Sequence, residues 1–157
     1  APLTFQLHDC YGDTKAMNSS DTNSGGWKNS AMRTTHLPAI LALMPTEVQN
    51  GIREVSKKAS VGGASSTIET VSDKLFLLSE VEIFGSTSYS AAGEGTQYDY
   101  YKAGNSKVKN RNGSAARWWE RSPYASISTY FCLVDSIGSA NSDSASGARG
   151  VAFGFCF

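Results

Sequence analysis

Apolar residues in this chain come in short runs broken by segments rich in Gly, Ser and Asn, so only small secondary-structure elements can form. Helical character is confined to one early region. Residues 37–44 are apolar and rich in Ala and Leu, which predicts a helix, and Pro45 interrupts it because proline is tolerated only in a first helical turn. A second helix is predicted from Thr46 to Lys58. There Val48, Ile52 and Val55 fall on one stripe, and Lys57 and Lys58 sit at the end where the helix dipole favours cations. Gly62-Gly63 closes the region.

The remaining apolar runs read as strands. Residues 3–7 and 67–71 alternate, and the continuous apolar run 75–78 predicts a buried strand after a turn at Asp73-Lys74. Residues 12–26 form a polar loop. Residues 86–117 hold no clear period and predict a long loop, a kind of segment that is usually functional when ordered. Ser122-Pro123 predicts a turn, 130–134 a strand, 138–150 a Ser/Gly/Ala-rich connection and 151–157 a final strand. Phe131, Leu133, Val151, Phe153 and Phe155 are the expected core of these strands. The class is α+β: two helices, short antiparallel strands and long loops.

At 157 residues the chain fits one domain, spanning 1–157. It opens Ala1-Pro2-Leu3 without an initiator Met, which reads as the C-terminal part of a longer protein. Lys plus Arg equals Asp plus Glu at 14 each, so no basic field exists to hold a phosphate backbone, and nucleic acid is excluded as a partner. A near-neutral small domain is poorly protected against self-association, which suits a part held in a larger assembly. No apolar run reaches membrane-spanning length, so membrane insertion is not expected.

Catalytic and metal signatures are missing from the linear sequence. Cys10, Cys132 and Cys156 match neither a disulfide framework nor a zinc spacing. They read as buried free thiols, with a Cys132–Cys156 bridge as the alternative. His8 and His36 belong to no triad, and His8-Asp9-Cys10 on a strand would point to alternating faces and could not converge on one ion. Gly93-Glu94-Gly95 lacks the third glycine of a dinucleotide loop. Glu80 and Glu82 read as a solvated strand face. The expectation is therefore a non-enzyme with no cofactor and no metal.

The C-terminal third is unusual. From Tyr124 to Phe157 none of the 34 residues is Lys, Glu, Gln, Met or Trp, whereas the first 123 residues contain 24 of these types. Uniform composition would place about six or seven there. Two readings fit: plain Ser/Gly-rich loops joining apolar strands, or a paratope-like surface. In such a surface Tyr gives broad contact, and Ser, Gly and Asn give adaptable hydrogen bonding.

Several blocks stand in a recognisable order: residues 27–33 (WKNSAMR), 73–85 (DKLFLLSEVEIFG), 98–101 (YDYY), 118–123 (WWERSP) and 150–157 (GVAFGFCF). Together they resemble an uncharacterised domain family of gut phage tail or fibre proteins and bacterial surface proteins. The resemblance covers nearly the whole chain. It implies a C-type-lectin-like fold of the formylglycine-generating-enzyme type, and a likeness to the variable proteins of diversity-generating retroelements. In those proteins, adenine-directed mutagenesis of AAC codons near the gene's end yields many residues but never Lys, Glu, Gln, Met or Trp. The same five types are absent here, which favours the diversified surface. Glu120 and Phe153 depart from the pattern, where many relatives carry Leu and Pro. The sugar-binding calcium motifs of vertebrate C-type lectins and the paired cysteines of the oxidase relatives are not matched.

The resemblance thus implies a ligand- or receptor-binding module on a virion (a phage tail or fibre) or on the bacterial cell surface. Its partners would be a host-cell surface protein or glycan and the other subunits of the assembly. The alternative is a structural capsid or tail decoration domain without an external ligand, and an enzyme, either a glycan hydrolase or an oxidase of the related fold, is a third. The expected ligand contacts are Tyr124, Ser126, Ile127, Ser128, Tyr130, Asp135, Ser136, Ser139, Asn141, Asp143, Ser144 and Ser146. Trp119, Arg121, Tyr98, Tyr100 and Tyr101 are expected to flank them, one of Trp118 and Trp119 serving the core and Arg121 holding a loop.

Overall fold

The computed structural model describes residues 2–157. They form an α+β fold of short helices and small antiparallel sheets. Strand β1 (Thr4–Gln6) pairs with β9 (Gly154–Cys156), so the two ends of the chain are joined, with Phe5 opposite Phe155. A π-helical turn, Met32–His36, runs into α1 (Leu37–Ala42), which buries Leu37 and Ile40 one turn apart. Pro45 then stands at the entry of α2 (Thr46–Gly51).

The second helix is much shorter than its apolar stripe predicts. The chain turns extended at Ile52, and the stretch read as its C-terminal half is β2 (Val55–Ser60), paired with β3 (Ile68–Asp73). Two features overrule the stripe. Gly51 is a poor helix former, and Lys57 and Ala59 are buried while Ser56 and Lys58 are exposed, which is the period of a strand. Gly62 has φ +70°, and a Cβ there would come within 1.8 Å of the Asn23 carbonyl oxygen, so the hairpin loop packs directly on the 20–26 loop.

Residues 75–78 are buried as expected, but they form no ladder. Phe76 alone exchanges backbone hydrogen bonds, with Gly154. A continuous apolar run specifies burial on all sides, not a pairing partner. Glu80 and Glu82 lie on α3 (Glu80–Phe84) rather than on a solvated strand, and both are buried. Ser79 and Glu82 form a reciprocal capping box, a local signal that the strand reading overlooked.

The long loop is more ordered than predicted. It carries α4 (Asp99–Lys102) and a hairpin of β4 (Lys109–Arg111) and β5 (Ser114–Ala116), turned by Asn112-Gly113 with both residues at positive φ. The last section is a three-stranded sheet in the order β6 (Trp118–Pro123), β7 (Tyr130–Val134), β8 (Ala140–Ser144). Ser122 and Pro123 stay in β6, where a register shift absorbs the irregularity, and β8 arises within the stretch read as a connection. Only 154–156 of the predicted final strand is laddered, and Phe155 is half-buried instead of core.

The core runs from Trp27, Met32 and Phe76 to Trp118, Trp119, Phe131 and Leu133, each fully enclosed. Asp73 ties two of its early elements, accepting from Trp27 Nε1 (2.8 Å) and from Arg33 Nε (2.7 Å). All three cysteines are free. Among the described residues no helix is long and apolar enough to cross a membrane.

Candidate functional site

Sheet order decides what the C-terminal third exposes. Strand β7 is central and buried from Phe131 to Val134, while β8 is an edge whose side chains are half-buried. The β6–β7 loop carries Tyr124 and Tyr130, half-buried, and Ser126, Ile127 and Ser128, exposed. The β7–β8 turn carries Asp135, half-buried, and Ser136 and Ser139, exposed. The Asp135 carboxylate folds this turn by accepting from the amides of Ile137 (3.1 Å) and Ser139 (2.9 Å). Ile137 at the tip is 78% exposed, an apolar side chain outside the expected set. Asn141, Asp143 and Ser144 line β8, and Ser146 follows, exposed. All twelve expected contact side chains thus keep access to solvent.

The framework grips this region through its main chain. The buried Asn23 amide donates to the carbonyls of Tyr130 (2.7 Å), Ile127 (2.9 Å) and Tyr124 (3.3 Å), and the Asn23 backbone amide donates to Ser128 O (2.7 Å). The Asn18 amide donates to Ala145 O, and Lys15 and Arg149 exchange backbone bonds. Two contacts use tail side chains: Asp21 accepts from Ser146, and Asp143 accepts from Arg149 (2.7 Å) and Arg117 (3.2 Å). Tyr89, from outside the tail, packs on Tyr124 at 5.3 Å between centroids, and Tyr124 meets Tyr130 edge-on at 6.3 Å. A periodicity search could not find Asn23 or Tyr89, since both lie in segments without a period.

The expected flanking residues lie elsewhere. Trp119 is fully buried with its indole N–H on Lys15 O, and Arg121 is fully buried, so neither has surface to offer a ligand. Tyr98, Tyr100 and Tyr101 line a groove of about 590 Å³ with Leu3, Phe5 and Leu7, and no tail residue contributes to its walls. Tyr101 itself is buried against Gln6.

Burial alone would raise the Asp143 carboxyl, but the Arg149 hydrogen bond, the Ser144 amide and the Arg149 and Arg117 charges outweigh it and hold it below its ordinary 3.8. A depressed folded value means that this group's stabilisation is complete above pH 3.8 and is lost as pH falls through the folded value. Asp143→Asn should therefore cost about 0.5–1 kcal/mol near neutral pH, the range of a partly exposed ion pair. Its deficit against the parent chain should shrink on acidification below 3.8. Urea melts of both chains across the acid range read this, and a deficit independent of pH would contradict it.

Beneath the face lies a buried carboxylate cluster. Glu82 is clamped by Arg121, whose Nη atoms donate to both its oxygens at 2.7 and 2.9 Å, with Lys57 3.5 Å away. Burial acts to raise the Glu82 carboxyl, and the Arg121 and Lys57 charges overcome it, so it stays ionised. Glu80 accepts from the amides of Tyr89 and Ser90 and from the Ser90 hydroxyl. Among the described residues, Glu94 and Glu120 have no hydrogen-bond partner on either oxygen. Burial pushes Glu94 up to about 8 and Glu120 well above the carboxylate range.

Residues 4–156 match a family described as a domain of unknown function (DUF6273). No curated protein and no solved structure matches the chain.

Proposed function

We propose that this chain, which belongs to the DUF6273 family, is a non-enzymatic binding module that presents its C-terminal third to a ligand. In this reading the fold is C-type-lectin-like, as the resemblance implies, and its short helices and small antiparallel sheets support that class. The module is displayed on a phage tail or fibre, or on a bacterial surface, and its partner is a host-cell surface protein or glycan. Weak single sites would be offset by many copies on one particle.

One observation carries the reading. The loops of the face are held mainly through their carbonyls and amides, while the twelve candidate side chains retain solvent access. A loop fixed by its backbone keeps its course when its side chains change, which is the property a variable binding surface requires. The five missing residue types fit the same idea.

The test is a chain with Tyr124, Tyr130 and Asp143 all changed to Ala, screened on host cells and a glycan array beside the parent. Binding should fall at least about tenfold, the loss of roughly 1.4 kcal/mol, since buried-edge aromatics dominate such contacts. Unchanged binding by a folded triple variant would overturn the siting.

A second reading, a decoration domain without an external ligand, has one observation in its favour. Leu3 (70%), Phe5 (44%), Tyr100 (54%) and Phe157 (41%) are exposed large apolar residues clustered about the paired chain ends. If Phe5→Ser abolished incorporation into the assembly while the triple variant bound cells normally, this second reading would replace the first.

A further inference from the structure

The core holds more carboxylates than its cations neutralise. Arg121 and Lys57 are both engaged with Glu82. Glu80, Glu94 and Glu120 are left, all buried. Glu120 is the sharpest case: it lies on β6, is 0% exposed, and neither of its oxygens has a hydrogen-bond partner among the described residues. Glu94 shares this lack, whereas the neighbouring buried Ser79, Ser90 and Ser122 hydroxyls are all bonded.

On the neighbouring strand β7, the Cys132 thiol is also fully buried. One ligand atom each from Glu80, Glu120 and Cys132 lies within 4.8 Å of the other two. Zinc takes carboxylate oxygens at about 2.0–2.2 Å and thiolate sulfur at about 2.3 Å, so an ion near the centre of this triangle reaches all three with side-chain shifts of about half an ångström.

We infer that Glu80, Glu120 and Cys132 form a buried structural site for one divalent cation of borderline softness, Zn²⁺ first among them. The donor set selects the metal. Calcium and magnesium want six or more oxygens, whereas a thiolate beside two carboxylates suits zinc, with the fourth position left to a water. A proton on Glu120 would remove its charge, with Glu80 as the acceptor at hand, but leave the other Glu120 oxygen without a donor. A cation satisfies the charge and the lone pairs together. On binding, Cys132 gives up its thiol proton and Glu120 its carboxyl proton to solvent as the S–Zn and O–Zn bonds form.

Such an ion would bind α3, β6 and β7 to one another. Glu80 also accepts from Tyr89 and Ser90, and Ala125 N donates to Tyr89 O, so the ion would brace the Tyr89–Tyr124–Tyr130 cluster from behind. The site stands whether or not that face binds a ligand.

The experiment is native mass spectrometry of the whole chain produced in zinc-supplemented medium, followed by melting after chelation and after return of Zn²⁺, Ca²⁺ or Mg²⁺. Stoichiometric zinc is expected, with a Tm that falls by roughly 5 °C or more on chelation and is restored by Zn²⁺ alone. Cobalt substitution should show a thiolate-to-metal charge-transfer band. Glu120→Leu removes both the charge and the need for a partner, so it should fold and carry no zinc. A metal-free parent with no zinc-dependent Tm overturns the site, as does Glu120→Leu that still holds zinc stoichiometrically. Restoration by Ca²⁺ in place of Zn²⁺ overturns the thiolate ligand.

Discussion

Replacing Arg121 by Met should lower the melting temperature by roughly 6–20 °C, the equivalent of about 3–5 kcal/mol in a domain of this size. All five N–H donors of this guanidinium are used. Two go to the Glu82 carboxylate, and the others go to Lys58 O (2.9 Å), Leu77 O (2.9 Å) and Glu94 O (2.8 Å). One side chain therefore joins β2, the 75–79 segment, α3 and the following loop to β6. Its removal leaves the buried Glu82 carboxylate with Lys57, 3.5 Å away, as its remaining cation, and takes a donor from three carbonyls, of which Glu94 O alone keeps another, the Ser79 hydroxyl. Arg121→Lys keeps the charge but has three donors on a point-like head, so it should recover less than half of the loss. Adding Glu82→Leu to Arg121→Met should restore part of the stability, because the uncompensated charge goes while the Lys58 and Leu77 carbonyls stay unpaired. A change of Tm under about 2 °C for Arg121→Met would mean that the pair contributes no more than a surface ion pair.

Arg121 also shows what the linear sequence exposes and what it hides. Reading it as a holder of loops was sound in kind, because a tryptophan pair and a Ser-Pro step surround it. Its partner was invisible: Glu82 lies 39 positions away, and no period links them. The same blindness turned Glu80 and Glu82 into a solvated strand, although the Ser79–Glu82 spacing of a capping box was present in the string. Elements set by local chemistry were readable. The first strand, α1 ending before Pro45, the strand at 130–134 and the α+β class all follow from nearby residues. The second helix failed where local signals competed: Val48, Ile52 and Val55 satisfy a helix, yet Lys57 and Ala59 bury on alternate positions against β3. For the candidate face, composition alone marked the stretch. It could not distinguish Trp119, whose indole is sealed against Lys15, from Tyr124, which reaches the surface.

The face should be most sensitive at a residue outside it. Asn23→Ala is expected to cost about 2–4 kcal/mol, since it removes several part-buried bonds at once. The Asn23 amide nitrogen has two hydrogens and meets three carbonyls of the 124–130 loop, and its oxygen accepts from Gly63 N at 2.8 Å. It thus fastens the β6–β7 loop to the β2–β3 hairpin loop. Asn23→Asp should be at least as damaging, because a carboxylate would face those same carbonyl oxygens with no hydrogen to offer them. Asp21→Ala is the matched control. It removes only the exposed bonds to Ser146 and should cost less than about 1 kcal/mol. Hydrogen exchange gives the local readout: the Ala145 amide, bonded to Thr129 O, and the Tyr124 amide, bonded to Tyr130 O, should exchange faster in Asn23→Ala. If the 124–146 stretch binds a ligand as proposed, affinity should fall in Asn23→Ala although no contact side chain has changed, since a loosened loop must be reordered on binding. Normal exchange at both amides would show instead that the tail supports its own course, and the framework's grip through the carbonyls would then be incidental to it.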